Sequence, residues 1–189
     1  MKVLVEIRAV DWDRCQRLIE LAGPRLSRSM VILPDGRQEP DPYRTSDGMF
    51  LPQGENEDVV AVETLIAELL GLPVSHMESL QVLRYRPGQE FKAHQDTFDP
   101  KDPGRAAYLG QAGQRLWTGV LCLRQAAQGG ELAFPKAGIM LSQRPGDLCI
   151  FSGTGADGIP DPAAMHQAMP VKAGEKWSVA SWFRERPFR

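Results

Sequence analysis

Residues 85–96 read Tyr-Arg-Pro-Gly-Gln-Glu-Phe-Lys-Ala-His-Gln-Asp. Leu80 to Tyr85, LQVLRY, runs into this stretch as a strand of β-favouring residues. Pro87-Gly88 is a turn pair, and Glu90 to Asp96 reads as a second strand. In extended backbone, residues i and i+2 project from one face. His94 and Asp96 therefore offer an imidazole and a carboxylate on the same side, able to grip one ion. A further ligand has to come from elsewhere, and the chain has only three histidines: His76, His94 and His166.

Working outward, the downstream half is built of short strands with turn residues between them. Leu116 to Leu123 is a strongly apolar strand, and Gly129-Gly130-Glu131 leads into Leu132-Ala133-Phe134. Pro145-Gly146-Asp147 is a turn before Leu148 to Phe151; a glycine-bearing loop, 153–158, precedes His166; Lys176 to Phe183 is the last strand. Thr97 to Gly113 is polar, with proline and glycine, and reads as a long loop, a length at which loops often act as lids.

Upstream, Val3, Val5 and Ile7 alternate as a strand. Asp11 or Asp13 caps a helix closed by Gly23-Pro24. Ser29 to Leu33 reads as a strand, and Pro34-Asp35-Gly36 as a turn. Arg37 to Gly54 reads as a loop or weak strand. Glu55 or Asn56 opens the longest helix, whose apolar stripe runs to Leu70 before Gly71 and Pro73. Helices first and many short strands after predict an α+β, mainly β chain: a β-sandwich or jelly roll flanked by N-terminal helices. We expect one domain over 1–189, with helical support over about 1–79 and the β core over about 80–189.

Bulk composition excludes several classes. At 189 residues the chain can bury a sizeable core, and 42% hydrophobic with 24% charged residues is ordinary for a globular protein. A net charge of −2 gives no electrostatic case for nucleic acid or membrane binding. No apolar stretch is long enough for a transmembrane helix, and the N-terminal run is broken by Glu6 and Arg8. Cys15, Cys122 and Cys149 are scattered and odd in number, which favours reduced, buried thiols and a cytoplasmic location.

Two histidines and a carboxylate with open positions form the facial arrangement of non-haem Fe(II) oxygenases. His166 lies 70 positions beyond Asp96 (166 − 96), a separation over which a jelly roll can return the chain beside its first strands. Lys176, ten positions further on, is the kind of cation that pairs with the remote carboxylate of a dicarboxylate cosubstrate. Singly, each residue has a plainer reading. His76 and His94 would be surface or packed histidines, Lys176 a solvated lysine, and Tyr85 and Trp182 core aromatics. Arg115 would be a surface ion-pair partner, and Arg44-Thr45-Ser46 a structural turn. The joint order of motifs decides between these.

In that order, the chain resembles the prolyl 4-hydroxylase branch of the Fe(II)/2-oxoglutarate dioxygenases from about Val3 to Phe183. The matching segments are Arg44-Thr45-Ser46 with Gly48-Met49-Phe50, then Tyr85-x-x-Gly88-Gln89-x-Phe91-x-x-His94-x-Asp96. Gly113-Gln114-Arg115 with Thr118, Gly129-Gly130-Glu131 with Phe134-Pro135, Pro145-Gly146-Asp147, His166, Pro170-Val171 and Lys176-Trp177 through Trp182 follow. The resemblance implies a cupin-like double-stranded β-helix with Fe(II) on His94, Asp96 and His166. It implies 2-oxoglutarate held by Lys176, with Tyr85 and Thr118, and substrate-side roles for Arg115 and Trp182. It implies O2 as cosubstrate, ascorbate as a candidate further cofactor, and a peptidyl proline as substrate. The chemistry would be decarboxylation of 2-oxoglutarate to succinate and CO2 with hydroxylation of the substrate. One departure is Leu132, where the family motif Gly-Gly-Glu-Thr has a hydroxyl.

Three rival expectations stand beside this one. The same chemistry on a free amino acid or small metabolite requires a closed pocket with a carboxylate-binding arginine. A Zn(II) hydrolase using the same three ligands leaves Lys176 without a task and lacks a general base at suitable spacing. A silent interaction module would have no need of His94, Asp96, His166 and Lys176 together.

Overall fold

The computed structural model describes residues 1–32, 37–40, 42–99, 101 and 103–188. In chain order the first part supplies β1 (Val3–Glu6), α1 (Trp12–Ala22), β2 (Ser27–Arg28), β3 (Val31–Ile32), β4 (Gln38–Glu39), β5 (Asp47–Leu51) and α2 (Glu57–Leu70). The middle supplies β6 (Leu80–Tyr85), β7 (Phe91–His94), α3 (Pro103–Ala112), β8 (Arg115–Arg124), β9 (Gln128–Gly129) and β10 (Leu132–Phe134). The last part adds β11 (Ile139–Leu141), β12 (Leu148–Ser152), β13 (His166–Ala168), β14 (Val171–Ala173) and β15 (Lys176–Arg184).

Helix ends follow local chemistry. The Asp11 carboxylate accepts the N–H of Arg14 to open α1, and Asn56 accepts those of Asp58 and Val59 to open α2. Gly71 closes α2 at φ 63°, a left-handed position glycine occupies without steric cost. Two local expectations change, and a third, the loop or weak strand over Arg37 to Gly54, resolves as a strand. The polar stretch 97–113 contains α3, because its proline stands at the first helical position and Gly113 just past the last, with Arg105, Ala106, Ala107, Leu109 and Gln111 offsetting Gly104 and Gly110 between them. Arg37 to Gly54 contains β5, which joins the main sheet beside β6. Ser29 to Leu33 divides: β2 ends before it in the main sheet, and β3 pairs with β4 in a separate ribbon. The turn expected at Pro34-Asp35-Gly36 lies outside the described residues.

Seven strands form one sheet in the order β1-β12-β8-β15-β6-β5-β2, and four form a second in the order β11-β10-β13-β7. β14 and β9 make a short ribbon. β6 and β7 do not form a hairpin; across Pro87-Gly88 the chain passes from one sheet to the other. Three strands of the large sheet precede residue 80, so the sheet is shared by both halves of the chain.

The central strands are buried on both faces, and alternation sorts their side chains into two cores. Leu80 and Val82, Leu121 and Leu123, Leu148 and Ile150, and Val179 and Phe183 pack with Leu18, Val59, Val62 and Ile66 of the helices. On the opposite face, Leu83, Tyr85, Ala180 and Trp182 meet Phe91 and Ala168 of the small sheet. Val120, Cys149 and Phe151 meet Leu132 and Phe134. The result is two antiparallel sheets face to face with helices behind the larger one: a jelly roll, or double-stranded β-helix. Among the described residues no helix is long and apolar enough to cross a membrane.

Candidate active site

The cleft lies between the two sheets, and each sheet contributes a directly opposed pair of residues to it. On the small sheet, His166 of β13 stands opposite His94 of β7. On the large sheet, Lys176 of β15 stands opposite Tyr85 of β6. All four line a cleft enclosing about 470 Å³, solvent at its mouth included, together with Asp96, Thr118, Trp182 and Arg44. Sequence separations of 72 and 91 residues (166 − 94 and 176 − 85) are thus closed by strand pairing alone.

His94, Asp96 and His166 each offer a ligand atom, all within 4.8 Å of one another. His94 Nε2 is 3.6 Å from Asp96 Oδ1, and His166 Nε2 is 3.5 Å from Asp96 Oδ2. Behind the site, His94 Nδ1–H donates to the Lys92 carbonyl at 2.8 Å and His166 Nδ1–H to the Ala164 carbonyl at 3.0 Å. A carbonyl only accepts, so each Nδ1 carries the proton and each Nε2 lone pair faces the cluster. Phe91 stacks on His94, ring centroids 3.5 Å apart, and Phe151 meets His166 edge-on.

Burial holds the His166 imidazole down to about 4, so it is neutral at pH 7. Burial pushes the Asp96 carboxyl up, but His166, His94 and Arg115 outweigh that and keep its pKa well below the ordinary range. Two imidazole Nε2 atoms and one carboxylate clustered beside the cleft fit an Fe(II) ion.

Thr118 donates its hydroxyl to Asp96 Oδ2 at 2.7 Å, so the structure places it behind the carboxylate of the cluster. Lys176 is buried, its Nζ 5.9 Å from the Tyr85 ring centroid. Burial lowers its pKa to about 8. Gly130, at φ 75°, passes so close that a Cβ there would stand 3.3 Å from Lys176 Cδ, which explains the glycine at that point of the Gly129-Gly130-Glu131 motif. Leu132 lines the cleft with an apolar side chain. Trp182 lines it as well, and its indole Nε1 is buried without a partner among the described residues.

Arg115 stands at the back of this wall. Its guanidinium lies 4.1 Å from the Trp182 ring and makes a two-pronged ion pair with Glu78, both contacts 2.7 Å. Glu78 also accepts from the fully buried Arg184 at 3.0 Å, and Arg184 donates to the Gly113 carbonyl at the end of α3. Neither Glu78 nor Arg184 stands out in the sequence, because the contacts that engage them span 37 and 106 residues. Arg44, which the sequence presents as part of a turn motif, lines the cleft. It donates to Gln81 Oε1 at 2.7 Å and lies 4.9 Å from the Phe91 ring, with Nε buried and without a partner among the described residues. His76 is remote from the cluster, its Nδ1 3.1 Å from the Arg184 carbonyl oxygen.

Residues 80–184 match the family model of the 2OG-Fe(II) oxygenase superfamily. "Probable prolyl 4-hydroxylase 6" of Arabidopsis thaliana is 34% identical over 196 residues, covering 93% of this chain and 66% of the relative. "Prolyl 4-hydroxylase 2" of the same plant is 33% identical, covering 92% and 64%. The chain therefore spans slightly less than two thirds of the length of these relatives. Among solved structures, the viral collagen prolyl hydroxylase of Paramecium bursaria Chlorella virus-1 in its 2OG complex superposes with a TM-score of 0.77. That alignment covers 97% of this chain and 96% of the viral one at 23% identity, a likeness of fold.

Proposed function

Because the chain belongs to the 2OG-Fe(II) oxygenase superfamily, we propose that it is a 2-oxoglutarate-dependent prolyl hydroxylase acting on a peptidyl proline. The observation that carries this reading is the sharing of one cleft by the His94, Asp96 and His166 cluster and the buried ammonium of Lys176. A hydrolytic zinc site would leave that ammonium without a task.

In this reading His94, Asp96 and His166 hold Fe(II), and Lys176 with the Tyr85 hydroxyl receives the remote carboxylate of 2-oxoglutarate. The bound metal and cosubstrate supply oxidation by O2, one oxygen atom going to 2-oxoglutarate, which leaves as succinate and CO2, and the other to the substrate carbon as hydroxyl. The protein's own residues do the rest. Thr118 fixes the plane of the Asp96 carboxylate. The Lys92 and Ala164 carbonyls fix both imidazoles in one tautomer. Leu83, Leu132, Val120 and Ala180 make the cleft apolar and keep water from the reacting carbon. Trp182 and Arg44 line the cleft, and each has a buried N–H donor without an acceptor among the described residues, which suits a substrate presenting carbonyl oxygens. A second reading, hydroxylation of a free amino acid, draws on the same Arg44, whose guanidinium has no carboxylate partner among the described residues.

Anaerobic titration of Fe(II) and 2-oxoglutarate into the apo-protein tests the site. A visible absorption band of an Fe(II)-chelated keto acid is expected with both present, and is lost in His94→Ala. Its absence, with tight Zn(II) binding instead, would overturn the assignment. Succinate release with ascorbate present, measured against proline-containing peptides and against free proline, then separates the two substrate readings.

A further inference from the structure

β1 is the outer strand of the seven-stranded sheet, paired on one side with β12 and on the other with no strand among the described residues. Its parity is fixed by Ser152, whose N–H donates to the Lys2 carbonyl at 2.9 Å. With Val3 opposite Phe151 and Leu4 opposite Ile150, the even-numbered residues turn their backbone groups toward β12. The N–H and C=O groups of Val3 and Val5 therefore point outward. The side chains beside them are apolar and open: Val3 is 38% exposed, Leu4 39%, Val5 43% and Ile7 74%. An edge of this kind is normally blunted by inward charges, proline or a bulge, and β1 has none of these between Lys2 and Glu6. At Arg8, φ 55° turns the chain out of the strand, so the extended stretch is residues 2–6.

We propose that this edge pairs antiparallel with the β1 edge of a second copy of the chain, about a two-fold axis through Leu4. Three registers oppose outward-facing residues, centred on Val3, Leu4 or Val5. Centred on Val3, Lys2 faces the apolar Leu4 of the other copy. Centred on Val5, Lys2 faces Arg8, a like-charge contact. Centred on Leu4, Lys2 faces Glu6 at both ends, Val3 faces Val5, and Leu4 faces itself. Only this register uses the whole stretch and matches charge with charge. Neither Lys2 nor Glu6 has an ion-pair partner among the described residues, so both are available for that contact. The pairing is isologous and closed, so it yields a dimer with one sheet continuous across both copies and no fibre. Each Val3–Val5 pair exchanges two backbone hydrogen bonds. The catalytic cleft takes no part in it, so this inference stands apart from the proposed activity.

Sedimentation velocity over a concentration series, on untagged protein, tests it. A reversible dimer is expected. Lys2→Glu alone or Glu6→Lys alone sets like charges against each other at both ends and weakens the dimer by about tenfold or more. The double swap Lys2→Glu with Glu6→Lys restores it. Val5→Pro removes an outward N–H that serves nothing within the chain, and abolishes dimerisation while the far-UV circular dichroism stays that of the parent. A monomer at every concentration, leaving the edge to a different kind of chain, overturns the proposal. So does a dimer indifferent to both single swaps.

Discussion

Thr118 donates its hydroxyl to Asp96 across the gap between the sheets, Oγ1 to Oδ2 at 2.7 Å, from the strand that pairs with β12 and β15. The Asp96 carboxylate is thereby held from behind by a residue 22 positions away. Partners of this kind set ligand orientation, and their loss typically costs about 10–100-fold in metal affinity. Thr118→Val, which keeps the shape and removes the hydroxyl, is expected to weaken Co(II) or Fe(II) binding by about that factor, and Thr118→Ser to restore most of it. Calorimetric titration of the metal alone checks this. Equal affinity in Thr118→Val would show that packing alone orients the carboxylate.

Lys176 gives the cosubstrate a pH dependence of definite sign. Burial lowers its pKa to about 8 against an ordinary 10.5. Only the ammonium pairs with a carboxylate, so the Michaelis constant for 2-oxoglutarate should be flat below pH 8 and rise by up to about tenfold per pH unit above it. Unliganded stability moves the other way. Below pH 8 the lysine is charged in both folded and unfolded chains, and the burial penalty is fully present. As pH rises from 8 toward 10.5 the folded chain sheds its proton first, and that penalty is relieved. A Lys176→Arg variant, charged throughout, should lose both trends; a Michaelis constant rising equally in that variant would place the titrating group elsewhere.

Much of this was legible in the chain because period-2 alternation and turn residues are local. Both main helices end at residues the sequence marks, Asp11 or Asn56 at the start and Gly23 or Gly71 at the end. The two-residue spacing marks His94 and Asp96 as a pair, but the strand expected over Glu90 to Asp96 ends at His94, and Asp96 reaches the cluster from the bend that follows. The partition of strands between sheets was not legible, since Leu80–Tyr85 and Phe91–His94 look like a hairpin and only long-range pairing sends them apart. The helix at 103–112 was hidden because proline and glycine mark helix ends as readily as loops. Glu78 was hidden for a different reason. Its meaning is two arginines brought from positions 115 and 184, and no local pattern announces them.

That carboxylate is the next point of leverage. Glu78 stands between Arg115 and the fully buried Arg184, and among the described residues it is the only direct ion-pair partner of either guanidinium. Glu78→Ala leaves two buried positive charges uncompensated, and breaking a buried pair in this way costs about 3–5 kcal/mol. Urea unfolding should show a loss of that size. The double variant Glu78→Leu with Arg115→Met should recover much of it, since Arg184 keeps its bonds to the Gly113 carbonyl. A mild loss in the single variant would mean that water reaches the pair.

Arg44 reverses the usual relation between contacts and stability. Among the described residues its guanidinium has one neutral partner, Gln81, an aromatic face in Phe91, and an unpartnered buried Nε. Burial disfavours its charged form and lowers its pKa, and the nearby Tyr85 and Asp96 offset this only in part. A charge kept under those conditions weakens the unliganded fold, and its use lies in meeting an acceptor that arrives with substrate. Arg44→Met, similar in length and apolar, should therefore stabilise the unliganded protein by about 1 kcal/mol. The same change should lower substrate-coupled succinate formation by about tenfold or more, because the acceptor would then be buried unpaired. Substrate-free decarboxylation of 2-oxoglutarate should change little, since the residues assigned to the cosubstrate are untouched. Lysine at this position separates the two substrate readings. A free carboxylate is still satisfied by an ammonium, so Arg44→Lys should keep most turnover of an amino acid. A backbone carbonyl reached through Nε–H loses its donor, and peptide turnover should fall as far as in Arg44→Met. A destabilised Arg44→Met with unchanged coupled turnover would reduce Arg44 to a packing residue of the Phe91 wall.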